Sequence, residues 1–219
     1  MTLATLTTLM QTWLDDPNGG YFTDTVCKTF LNNAQKQVQK KLIQSGELWY
    51  TTTVQTTLVI NTESYALPTD FLRLHKAEII VSGTYPNQSL ARLRPITPVQ
   101  RDRIPQGAGL PCAYFINKGS ITLAQTPSVA YVLQMLYSYL VADMVLTTDV
   151  PDVPTQYHEM IAIYATLDGF LKDQRNPNPV FATKLQMYEE AMKQDAQERH
   201  VDEPREVVMT DEAYSSMGW

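Results

Sequence analysis

Helix-periodic segments lie at the two ends of this chain and strand-patterned segments lie between them, a layout that decides most of what it can fold into. Leu3, Leu6, Met10 and Trp13 fall three or four residues apart, which predicts a short amphipathic helix over residues 3–14. The run Asp15-Asp16-Pro17-Asn18-Gly19-Gly20 ends it. Thr23 then suits an N-cap, and Val26, Phe30, Ala34, Val38 and Leu42 recur every four residues until Gly46 stops the helix. Its other face is Gln, Asn and Lys, suited to solvent or to a polar neighbour. Near the far end, Thr155 caps a helix whose apolar face is Tyr157, Met160, Ile161, Tyr164, Leu167 and Leu171. After a tight turn, Asn178 and Pro179 open a last helix carrying Phe181, Leu185, Tyr188 and Met192. Neither end buries its apolar stripe alone, so the two ends are expected to pack together and carry the middle as an insertion.

From Leu48 the period changes to two. Residues 49–60 alternate and are rich in Thr and Val, which favour half-buried strands. Leu72 to Val81 reads as a second strand. Residues 113–125 form a hairpin around Lys118 and Gly119, and Val129 to Tyr139, apolar on both faces, reads as a central strand. A short helix is expected around Pro98 to Arg103. The expected class is therefore α+β: residues 1–46 and 151–200 as a helical bundle, 47–150 as an inserted antiparallel β-rich subdomain of five or six strands, and 201–219 as an extended tail.

Composition removes several functions. The chain has 219 residues, 44 % of them hydrophobic, and a net charge of −6. A general nucleic-acid coat, which needs Lys and Arg to neutralise phosphates, fits that balance poorly. Cys27 and Cys112 have no spacing of a disulfide framework or zinc knuckle, so free buried thiols are expected. The first sixteen residues lack the basic region of a secretory signal, and Gln134, Ser138 and Asp143 interrupt the most apolar stretch, so no membrane span is assigned. No glycine loop precedes a helix in the manner of a phosphate cradle. His158 and Glu159 lack a second histidine four residues on, where Ala162 stands. His75, His158 and His200 read as solvated or capping residues, and Glu189 and Glu190 as a solvated helix face. Tyr131, Tyr137 and Tyr139 have no basic residues between them and read as packing, not as a base-stacking platform. No catalytic, cofactor-binding or metal site is assigned.

Two segments stand out as contact candidates. Arg92, Arg94, Arg101 and Arg103 concentrate positive charge in a Pro-containing stretch that suits DNA phosphates or an acidic protein surface, against the plain alternative of a solvated loop. Beyond His200 the chain holds five acidic residues against one Arg, yet it also places Val207, Val208, Met209, Tyr214, Met217 and Trp219 where nothing local buries them. Those residue types anchor interfaces, so the tail is expected to dock on a neighbouring subunit or a partner.

Several segments resemble, in order, those of the head-to-tail adaptor (connector) proteins of tailed bacteriophages, especially the tail-tubular-protein-A type of short-tailed phages. Tyr65 to Leu74 looks like the family's turn between its first strands, and residues 113–140 look like its hairpin followed by a long strand. Residues 153–174 and 179–194 look like its closing helical hairpin. The likeness covers roughly residues 20 to 200; the Arg stretch and the tail match no family pattern. It implies a structural virion protein of the portal vertex, made in the host cytoplasm. It further implies a homo-oligomeric ring, commonly of twelve copies, that joins the portal protein to the tail nozzle protein. Packaged DNA would pass through the lumen without sequence-specific binding, and neither a membrane nor an enzymatic activity is implied. The alternatives are a tail-associated cell-wall hydrolase and a monomeric adhesin or ligand-binding module.

Overall fold

The computed structural model describes residues 1–45, 49–83, 87–104 and 107–199. Helix α1 spans Leu3–Trp13 and α2 spans Asp24–Gln44. The Thr2 hydroxyl accepts from the N–H of Thr5 and starts α1. Thr23 holds the cap position of α2 in extended conformation, but its hydroxyl makes no capping bond. Between the helices Asp16 fixes the turn, its carboxylate accepting from the N–H groups of Gly20, Tyr21 and Phe22 at 3.0, 2.8 and 2.7 Å.

The middle of the chain folds as two small sheets and a two-strand bridge. The strands are β1 (Thr51–Thr57), β2 (Ser64–Ala66), β3 (Phe71–Ser82), β4 (Ser89–Arg92), β5 (Arg94–Pro95), β6 (Ala108–Gly109), β7 (Ala113–Asn117), β8 (Ser120–Leu123), β9 (Thr126–Pro127) and β10 (Val132–Tyr139). A single turn of helix, α3 (Pro98–Arg101), carries a capping box between Thr97 and Gln100. The first sheet has the order β1-β10-β3-β4 with every pair antiparallel, and the second has the order β2-β8-β7-β5, parallel only between β5 and β7. Strand β10 is internal, as its apolar sequence predicts. Its residues alternate between half-buried and buried as far as Tyr137, so one face meets the core and the other is partly covered, and Ser138 is buried beside Tyr137. The described strands outnumber the expected five or six because β2, β5, β6 and β9 are pairings of two or three residues, too short to show a period.

Helices α4 (His158–Lys172) and α5 (Pro179–Arg199) complete the fold. A 3-10 turn over Thr155–Tyr157 precedes α4, so that helix starts two residues later than a cap at Thr155 would place it. Asn178 does cap α5, its side-chain oxygen accepting from the Val180 N–H at 3.0 Å.

Two hydrophobic clusters result. One joins α1, α2, α4 and α5 through Leu6, Met10, Leu14, Leu31, Val38, Met160, Ile161 and Met192, together with Tyr50, Val141 and Met144 from the connecting segments. The other lies between the facing sheets, with Ile79, Leu133 and Met135 from the first and Tyr65, Tyr114, Ile121 and Leu123 from the second. Close approach of α1 to α4 requires Gly169, where a Cβ would stand 2.8 Å from a Leu14 methyl. The protein is thus α+β, with helices from both chain ends packed as one layer.

Candidate contact surfaces

The four arginines do not share one environment. Arg92 closes β4 and Arg94 opens β5, while Leu93 between them turns inward and is buried. The Leu93 N–H bonds the Ala77 carbonyl at 3.0 Å and the Arg94 N–H bonds the Cys112 carbonyl at 2.9 Å, so the chain crosses from the first sheet to the second between the two arginines. Arg92 stands in register with Glu78. It also lies near Tyr114, whose hydroxyl is pushed up by burial and drawn partly back by the Arg92 charge. Arg101 pairs with the Glu63 carboxylate, which ties the α3 turn to the connection between β1 and β2. Arg92, Arg94 and Arg103 are exposed and have no ion pair among the described residues. Three of the cations therefore face solvent, available to a phosphate or a carboxylate, and the fourth is committed internally.

Val207, Val208, Met209, Tyr214, Met217 and Trp219 lie outside the described residues. What the structure does give is the helix from which that tail continues. Helix α5 packs Phe181, Leu185, Tyr188 and Met192 on the helical core and is further attached through carboxylates. Glu159 accepts from Lys184 at 2.7 Å and from the Tyr188 hydroxyl at 2.6 Å. Glu189 accepts from the Tyr164 hydroxyl at 3.0 Å and pairs with Lys41 of α2 at 2.9 Å. Asp195 accepts from the Tyr157 hydroxyl at 2.6 Å and from Gln156 at 2.5 Å. Lys184 and Tyr188 hold the Glu159 carboxyl below its ordinary value, and Lys41 does the same for Glu189. Glu189 is thus no solvated residue: with Tyr164 and Lys41 it joins α5 to both α4 and α2, while Glu190 is exposed.

The polar face of α2 has a partner that its sequence did not name. Asn32, Gln35 and Gln39, buried on one side of the helix, clasp the backbone of the extended segment that leaves β10. The Gln39 amide donates to the Tyr139 carbonyl at 2.6 Å and accepts from the Val141 N–H at 3.2 Å. Gln35 donates to the Ala142 carbonyl at 2.9 Å. Asn32 donates to the Met144 carbonyl at 3.1 Å and accepts from its N–H at 2.9 Å. The segment has no strand beside it, so these amides satisfy backbone groups that burial would otherwise leave unpaired. The signal was visible as amides at positions i, i+3 and i+7 of a helix, which share one face.

The histidines and cysteines also find definite places. His158 is buried, not solvated. Its Nε2–H donates to the Val153 carbonyl at 2.9 Å, which leaves Nδ1 to accept from the Met1 amino group at 2.7 Å, and burial lowers its pKa. His75 is half-buried, 2.6 Å from the Ser138 hydroxyl. Cys27 is buried and burial pushes its thiol up to about 11, whereas Cys112 is exposed, against the expectation of two buried thiols. Tyr137 is buried, and Tyr139 meets the Tyr50 ring edge-on with centroids 5.9 Å apart, so these tyrosines pack the core as expected. No helix is long and apolar enough to cross a membrane, and no group of three metal-ligating side chains occurs among the described residues.

A helical layer and a two-sheet unit, with many polar side chains committed to joining elements, define an α+β protein. The chain belongs to the SU10 adaptor protein family, whose model matches residues 1–208. It is accordingly a bacteriophage adaptor, a structural protein of the virion. The match takes in both helical ends, the strands and the start of the tail, and it stops short of Tyr214, Met217 and Trp219. No curated protein matches the sequence.

Proposed function

We propose that this chain is the subunit of an adaptor ring that joins the capsid portal to the tail nozzle and helps retain and pass the packaged DNA. The family match over residues 1–208 carries this reading. A ring needs unlike faces on one subunit, so that each copy presents to the next a surface different from the one it receives. The helical layer and the two-sheet unit supply such unlike faces. In this reading twelve copies close the ring, as in the tail-tubular-protein-A type, and residues 1–46 with 151–200 act as one body and 47–150 as another.

The net charge of −6 suits a lumen through which DNA slides without sticking. Arg92, Arg94 and Arg103 then serve a local contact, with DNA phosphates or with an acidic face of the next subunit. The tail, through Val207, Val208, Met209, Tyr214, Met217 and Trp219, anchors the subunit on the portal or on its neighbour.

Mixing the full chain with its portal and measuring mass by light scattering tests the reading. A complex carrying many copies of the chain is expected. A chain that stays monomeric beside the portal contradicts it. Deleting residues 202–219 is expected to abolish that complex, and undiminished binding would remove the tail from the account.

A further inference from the structure

Strand β4 pairs with β3 only from Glu78 onward, and beside the unpaired start of β3 a groove opens toward the second sheet. Phe71, Leu72 and Leu74 of β3, Ile96 after β5, and Phe115 and Ile116 of β7 line a volume of about 370 Å³. Leu72 and Ile116 are exposed although they are large and apolar. Arg73 is the charged side chain of the lining among the described residues, and Arg94 stands next to the lining residue Pro95. Both arginines are exposed and have no ion pair among the described residues. An apolar groove with a cationic rim suits an acidic segment that carries large apolar side chains.

The β7 wall also offers backbone groups. The bond from Ala124 N–H to the Ala113 carbonyl, 2.9 Å, sets Ala113, Phe115 and Asn117 toward β8, so Tyr114 and Ile116 turn their backbone groups the other way. There the Tyr114 carbonyl accepts from the Ile96 N–H at 2.9 Å, but β5 pairs only with Ala113 and Tyr114. Ile116 has no backbone partner on that side among the described residues. An extended segment in the groove therefore finds a free stretch of β7 where β5 leaves it.

We propose that in the unassembled subunit this groove seats the last residues of the same chain, with Asp211 and Glu212 at Arg73 and Arg94 and with Tyr214, Met217 and Trp219 over the apolar lining. Charge, composition and reach favour this occupant. Beyond His200 the chain carries five acidic residues against one Arg, and two of the five stand just before Tyr214, Met217 and Trp219. The end of α5 is linked to the groove by a short series of contacts. Asp195, one turn before that end, accepts from Gln156 and Tyr157. Asp152, five residues earlier than Tyr157, accepts from the Tyr139 hydroxyl at 2.9 Å, and Tyr139 stands in register with Phe71. These links span about 40 Å at most, whereas the chain from Arg199 to Tyr214 reaches about 50 Å when extended. A tethered segment meets its own groove at a millimolar effective concentration, above that of a second copy in dilute solution. The family match ends at residue 208, so the seated residues lie beyond it. The seat belongs to the free chain and stands or falls without the ring; assembly frees the segment and Arg94 for the contacts proposed above.

Disulfide formation in the dilute full chain tests the proposal, with Cys112→Ser removing the exposed native thiol. Met217→Cys is combined in turn with Leu72→Cys and Ile116→Cys in the groove, and with Val129→Cys, an exposed control beyond the other end of β10. Monomers with an internal bond are expected from at least one groove pair, and the control should form its bond at least about tenfold more slowly, as a seated segment implies. Equal rates in all pairs, or no internal bond, would overturn the seat. Dimers as the main product would put a neighbour's segment there and overturn the assignment to the same chain. Reversing the rim with Arg73→Glu and Arg94→Glu should slow the groove bond about tenfold or more, because like charges then face each other. Adding Asp211→Lys and Glu212→Lys should restore it. No slowing, or slowing that the second pair of changes does not restore, contradicts the proposal. The ring reading is tested separately, by light scattering with the portal, and survives any of these results.

Discussion

Helices α2 and α5 are both 21 residues long, yet they are held by opposite means. Helix α2 buries Cys27, Leu31, Ala34, Val38 and Leu42 in the helical core and uses its amides to satisfy the backbone of residues 139–144. Helix α5 buries Met192, lays Phe181, Leu185 and Tyr188 against the core, and relies on Glu159, Glu189 and Asp195 for its other attachments. Apolar burial and uncharged amides respond little to salt or acid, whereas partly exposed carboxylate pairs respond to both. The difference places the firm part of the molecule where the chain returns from the sheets and the adjustable part just before the tail.

Leu31→Ala should have the largest effect, a loss of about 2–5 kcal/mol, because it opens a cavity in a fully buried site. Urea unfolding measures it, and a loss below about 1 kcal/mol would mean that α2 is not the central packing element. Asn32→Ala should cost about 2–4 kcal/mol, since it strips both the N–H and the carbonyl of Met144 of their partner. An unchanged midpoint would show that the 139–144 segment is not pinned by the helix.

Acid should separate the two helices. Glu159 and Glu189 have folded-state pKa values below the ordinary 4.5, so their contribution is complete above that value and is lost as pH falls through the lower folded one. As pH falls below the ordinary 4.5 and through the lower folded values, hydrogen exchange in α5 should accelerate while α2 stays protected; equal acceleration in both would erase the distinction. Lys41→Ala, which removes the partner of Glu189, should cost at most about 1 kcal/mol of global stability while raising exchange in α5. Smallest of all, Arg103→Ala should leave the melting curve within about 0.5 kcal/mol, because the side chain is exposed and without an ion pair among the described residues.

The helices were legible because their apolar residues recur with a clear period, and the hairpin because Lys118 and Gly119 sit between two alternating runs. Lys118 does adopt a left-handed φ of 53° there. Which strands pair was not legible: alternation tells which face of β1 is buried but not that its neighbour is β10, the last strand in sequence. The segment after β10 has no period of its own because side-chain amides, not a strand, complete its backbone. Glu189 and Arg101 looked like surface charges, since a sequence shows a charge but not the partner that packing brings to it. The Arg stretch was visible as a cluster, and the fold then divided it by sending the chain from one sheet to the other at Leu93.

An image of the intact particle at subunit resolution tests the central claim most directly. The account predicts a closed collar of this chain between portal and tail, with unlike faces of neighbouring copies in contact. A particle in which the chain stands as isolated copies, or lies away from the junction of head and tail, would contradict it.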